Sequence, residues 1–155
     1  MKAIKAVYNL LMSDANINVG IYPQRIPEGV QLPAISLSQI SRVAFDTKKE
    51  YSKSDESRVQ INIVASTATE AYDLSDLVRE AMSVELPNSY NGVLVQNIAF
   101  QGEITLTDDD ASYQGVFMVA QDYFIMFSNI LVASGYLLLE DESFMLLEDG
   151  NKIEL

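Results

Sequence analysis

A chain of 155 residues with 48% apolar side chains has the length of one ordinary domain and enough apolar material for a single core. It contains no cysteine and no histidine, which excludes a disulfide framework, a thiolate nucleophile, Ser–His–Asp or Cys–His catalysis and the usual neutral-pH base. The net charge of −12 is uneven: residues 1–102 hold nine basic and eleven acidic residues, residues 103–155 one basic and eleven acidic, a balance that repels DNA and excludes binding by phosphate neutralisation.

The N-terminal stretch to about Ser13 predicts an amphipathic helix, with Ile4, Tyr8 and Leu11 on one face widened by Val7 and Leu10. It lacks the uninterrupted apolar core of a signal peptide, and no run reaches the roughly 18–20 apolar residues that span a bilayer. An intracellular protein is expected. Val19 to Tyr22 is extended and leads into Pro23-Gln24-Arg25-Ile26-Pro27-Glu28-Gly29, whose prolines and glycine favour an ordered turn. Pro33 opens an alternating strand, Ala34 to Ile40.

Val43 to Glu56 is polar and predicts a long connection between strands, either a loop or the solvated tip of a hairpin. Within it Lys48, Lys49 and Lys53 are interleaved with Phe45 and Tyr51. Asp46 and neighbouring acids offset their charge. A contact loop competes there with a plain solvated tip. Arg58 to Ala65 is the clearest strand: Val59, Ile61, Ile63 and Ala65 fall on one face, Arg58, Gln60 and Asn62 on the other. Thr67 followed by Glu70 has the spacing of a capping box. It opens a helix whose buried stripe is Ala71, Leu74, Leu77, Val78, Ala81 and Met82, ended by Pro87. Asn91-Gly92 turns into a strand from Val93 to about Gln101, and a last strand runs from Gly115 to Phe127. Tyr113, Phe117, Tyr123, Phe124 and Phe127 are expected to pack a core or a subunit interface.

Beyond Phe127 the chain repeats itself at eight residues, Tyr136-Leu137-Leu138-Leu139-Glu140-Asp141-Glu142-Ser143 and then Phe144-Met145-Leu146-Leu147-Glu148-Asp149-Gly150-Asn151. Each unit reads as a short apolar strand with an acidic turn, so residues 128–155 predict a β-hairpin or meander extension that needs a surface to cover its apolar face. Asp108-Asp109-Asp110 is better read as a solvated turn than as a cation site, because adjacent carboxylates converge poorly on one ion. Glu148 to Asn151 lacks the alternating ligands of a calcium loop. With no phosphate-binding glycine motif either, the residues support neither catalysis nor a metal or cofactor.

Several short motifs occur in a suggestive order: Tyr8-Asn9-Leu10-Leu11, Ile21-Tyr22-Pro23-Gln24, Leu32-Pro33-Ala34-Ile35, Arg58 to Ala65, Ala71 to Met82 with Leu77-Val78-Arg79, and Tyr113-Gln114-Gly115 leading to Asp122-Tyr123-Phe124. Over residues 1–127 this resembles the tail completion proteins of long-tailed bacteriophages, the group related to the lambda-type tail terminator. The resemblance implies an α+β fold, a twisted and mostly antiparallel sheet with two helices on one face, without enzymatic activity. It implies a homo-oligomeric ring, a hexamer, that caps the tail tube and meets the head connector or stopper. DNA would pass through its lumen, in a virion assembled in the host cytoplasm. Phe45, Asp46, Lys48, Lys49, Tyr51 and Lys53 are then candidates for a subunit or tube contact. The extension departs from the family, whose members usually stop near Phe127. Competing readings are another neck component, such as a head-completion or stopper protein, and a ferredoxin-like binding domain of cellular origin.

Overall fold

A computed structural model describes residues 2–44, 54–107 and 115–128. Helix α1 spans Lys2–Ser13 and buries Ala3, Ile4, Ala6, Val7, Leu10 and Leu11; Tyr8 packs at the margin of the core. The stripe is wider than the sequence pattern alone indicates, because the two alanines let the helix lie close on the sheet. Ser13 Oγ donates to the Leu10 carbonyl at 2.7 Å and satisfies one of the acceptors a helix leaves unpaired at its end.

Among the described residues six strands follow the expected chain order, with three corrections. They are β1 (Gly20–Pro23), β2 (Ala34–Ala44), β3 (Ser54–Ala65), β4 (Asn88–Tyr90), β5 (Val93–Thr107) and β6 (Phe117–Ser128), with helix α2 (Ala68–Ala81) between β3 and β4. The segment Val43 to Glu56 is not all connection: β2 and β3 reach into it and pair antiparallel out to Ala44 opposite Asp55. It is a hairpin whose tip, residues 45–53, lies outside the described residues. Strand β5 runs six residues past Gln101. Irregularities after Val95 and after Phe100 re-phase it against β6, so the single alternation expected of a short strand breaks where Gly102 follows Gln101. Strand β4, absent from the sequence reading, forms a hairpin with β5 across Asn91 (φ 50°) and Gly92 (φ 75°), the positive-φ pair that suits the twist of a two-residue hairpin loop.

The strands form one sheet in the order β1-β2-β3-β6-β5-β4. Only β1 and β2 are parallel; the other pairs are antiparallel. Both helices contribute to a single core against one face, together with Ile35, Leu37, Val59, Ile61, Ile63, Val119, Tyr123, Ile125 and Phe127. This is the α+β architecture expected. Thr67 caps α2, its side chain accepting from the Glu70 N–H at 3.2 Å. Of the predicted α2 stripe, Leu77 is only half-buried, while Ser75 is buried.

Candidate assembly surface

The antiparallel register sorts residues onto two faces, since directly paired residues share a face. On the helix face, β6 presents Val119, Gln121, Tyr123, Ile125 and Phe127 opposite Ile63, Ile61, Val59, Ser57 and Asp55 of β3. Gln121 is fully buried there. Its amide donates to the Ser75 carbonyl of α2 at 2.9 Å and to the Glu103 carboxylate at 2.8 Å, and its oxygen accepts from the Tyr123 hydroxyl at 2.9 Å. Every polar atom of the side chain is engaged, so this amide ties α2 to the middle of the sheet at no unsatisfied cost. Burial pushes the Tyr123 phenol well above its ordinary pKa. Arg79 opposes the shift and Glu103 adds to it. The phenol therefore acts as a neutral hydrogen-bond donor. Arg79 stacks 3.7 Å from the centroid of the Phe100 ring, which meets Tyr123 edge to face at 5.4 Å.

At the hairpin end, Arg42 donates to Asp55 from both Nε, at 2.7 Å, and an η nitrogen, while its guanidinium lies 5.6 Å from the Phe127 ring centroid. Asp55 is only 4% exposed, so this pair braces the base of the β2–β3 hairpin against β6. Pairing of Ser54 with Ser128 and of Val95 with Phe127 brings three features to the same end of the sheet: the 45–53 connection, the exit toward residue 129 and the Asn91-Gly92 turn. The predicted contact residues Phe45, Asp46, Lys48, Lys49, Tyr51 and Lys53 lie outside the described residues. What is described is the paired stem from which that connection leaves.

Among the described residues the sheet also ends in open edges. Strand β1 pairs with β2 only over Ala34 to Leu37, and β4 pairs with β5 only over Val93 to Val95. Among the described residues, the outer edge of β2 from Ser38 to Ala44 and that of β5 from Asn97 to Thr107 carry no further strand. Exposed apolar side chains sit on both: Ile40 (49%) and Val43 (62%) on β2, Ile104 (59%) and Leu106 (49%) on β5. Long free edges with exposed apolar residues are templates for strand addition, which proteins blunt unless the edge is used. The sequence reading placed Ile40 at the end of the β2 strand and Val43 at the start of the polar connection, and it ended β5 before Ile104 and Leu106.

Two of the clefts on the surface are lined by described residues. One of about 140 Å³ lies between α2 and β5, floored by Phe100, Tyr123 and Ile98, and is below the size of small-molecule sites, which run roughly 300–1,000 Å³. The other, of about 450 Å³, flanks β1 and is lined by Val19, Gly20, Tyr22, Val30 and Pro33 among others, without a charged side chain. Among the described residues no group of three or more acidic side chains is placed to hold a metal ion, and no helix is long and apolar enough to cross a membrane.

A chain from a structure described as the virion of a native gene transfer agent (GTA) particle has the same fold, with a TM-score of 0.64 at 15% identity over 83% of this chain and 94% of its own. The family model of tail completion protein gp17 matches residues 5–121. This chain therefore belongs to the tail completion protein gp17 family, and it is a structural protein of the bacteriophage tail. No curated protein sequence gives a significant match.

Proposed function

We propose that the protein assembles head to tail into a ring of six copies that caps the finished tail tube and joins it to the head connector. The observation that carries this reading is the pair of open edges, β2 on one side of the sheet and β5 on the other. They are different surfaces of one molecule, so joining them is a heterologous contact, the type that generates rings when the rotation closes. Strands alternate in direction from β2 through β3 and β6 to β5. A β2 edge laid beside the β5 edge of a copy rotated about an axis along the strands is therefore antiparallel to it, the favoured pairing. Family membership supports a place at the tail end, and a net charge of −12 suits a lumen that DNA slides through without sticking. The 45–53 connection, leaving at the hairpin end, is the proposed contact to the neighbouring subunit or the tube.

Deletion of the coding sequence from the phage genome tests the position. Loss of a tail terminator leaves filled heads beside free tails of abnormal length. If normal-length tails accumulate beside heads that leak DNA, the protein is a stopper or head-completion component instead. Virions that form and infect normally would overturn the reading altogether.

A further inference from the structure

Among the described residues each side of the sheet carries a one-strand step. Strand β1 stands outside β2 at the end away from the hairpin, and β4 stands outside β5 at the hairpin end. The register also lines up two rows of residues across the face that points away from the helices. One row runs Gly20, Ala34, Val64, Met118, Leu106, and the next runs Tyr22, Ser36, Asn62, Ala120, Ile104. At the β5 end of these rows Leu106 and Ile104 stand 49% and 59% exposed. At the β1 end lies the cleft of about 450 Å³, which Gly20 and Tyr22 line together with Val19, Val30 and Pro33. Gly20 shapes that cleft. A Cβ there would meet the Tyr22 hydroxyl oxygen at 2.6 Å and the ring at 2.7 Å, so its absence lets the ring fold back along the strand. An apolar cavity of roughly 150 Å³ already holds a benzene-sized group, and this cleft has room for two aliphatic side chains.

We infer that Ile104 and Leu106 of one copy insert into this cleft on the next copy. The inference rests on the head-to-tail ring proposed above and names the side chains that hold it together. Copies that stand side by side at equal height bring the two ends of each row to each other, and here both ends lie on the same face. Tyr22 then arrives beside Ile104, and Gly20 beside Leu106. The steps fit each other as well. A neighbour's β1 falls beside the part of β5 that has no outer strand, while β4 falls beside the hairpin end of the neighbour's β2. Strand β1 is parallel to β2 and so runs antiparallel to the adjoining β5, the favoured direction for pairing. The chemistry matches too, since the cleft is lined by no charged side chain and burying aliphatic surface is favourable. Inserted pair and cleft are different surfaces, so the contact links copies head to tail and cannot close a two-fold dimer.

Photo-crosslinking of the full chain tests this, with p-benzoylphenylalanine installed at Ile104 and, as control, at Asp73 on the exposed side of α2. Isotopically light and heavy copies are mixed so that adducts between copies can be told from adducts within one. The expected result is light-to-heavy adducts from Ile104 to residues 18–33, and none to that segment from the control position. Ile104→Asp with Leu106→Asp should raise the concentration at which rings form several-fold in sedimentation, with the melting temperature of the subunit kept. Rings that form while Ile104 crosslinks elsewhere or not at all, or that ignore the two aspartates, overturn this contact and leave the ring itself standing. A chain that is monomeric at every concentration overturns both.

Discussion

The two faces of the sheet share the same strands but not the same chemistry. The helix face is closed: Val59, Ile61, Ile63, Val119, Ile125 and Phe127 have at most 1% of their surface exposed, and its one buried amide, Gln121, has every polar atom satisfied. The other face mixes apolar residues with an Arg58–Asp122 pair whose arginine is exposed and whose aspartate is mostly covered, and leaves Ile104 and Leu106 about half or more in solvent. The first face accounts for the stability of the folded subunit. The second, with the edges of β2 and β5 that are open among the described residues, leaves apolar side chains in solvent.

Matched substitutions break that comparison most sharply. Ile61→Ala should cost about 3 kcal/mol by urea denaturation, since a buried isoleucine loses both transfer energy and packing. Ile104→Ala in the same sheet should change the subunit by less than about 0.5 kcal/mol, as exposed sites usually do. Equal losses at the two positions would show that the faces are not different.

Gln121→Leu tests whether the helix face relies on its polar tie as well as on burial. It strands the Tyr123 hydroxyl and the Ser75 carbonyl, and an unmet buried group costs about 1–3 kcal/mol. A neutral effect would mean the amide merely fills space. The alkaline limb of stability probes the same tie. The folded-state pKa of Tyr123 is raised, so its contribution is complete below the unfolded value of about 10 and lost as pH rises toward the folded one. Stability should fall above about pH 10 by at most ~1.4 kcal/mol per pH unit from this group, and Tyr123→Phe should remove that slope. The smallest effect is local: Thr67→Ala removes the α2 cap and should cost about 1 kcal/mol, without altering assembly.

The helix face was legible in the sequence and the open face was not. The strict alternation of Val59, Ile61, Ile63 and Ala65 and the 3.6-residue spacing of Ala71, Leu74 and Val78 each name a buried side without reference to any other element. Gln121 carries no such signal, because its role depends on the Ser75 carbonyl reaching it from 46 residues away in sequence. Strand β4 was missed because three residues give no period to read. The end of β5 was misplaced because irregularities after Val95 and Phe100 shift which residues share a face, and that shift is set by pairing with β6. The outward apolar residues of β6 could be read as hydrophobic, but not as lying off the helix face, until the register placed both helices on the other side. The family resemblance read over residues 1–127 agrees with the match over residues 5–121.

Sedimentation velocity on the full chain, over a wide concentration range and beside a variant carrying Ile40→Lys and Val43→Lys on the β2 edge, tests the central claim most directly. The native chain should sediment as a closed species near six times the monomer mass. The variant, whose two altered side chains are exposed in the subunit, should keep its melting temperature and sediment as a monomer. A native chain that stays monomeric at every concentration, or a variant that still forms the full ring, would contradict assembly through these edges.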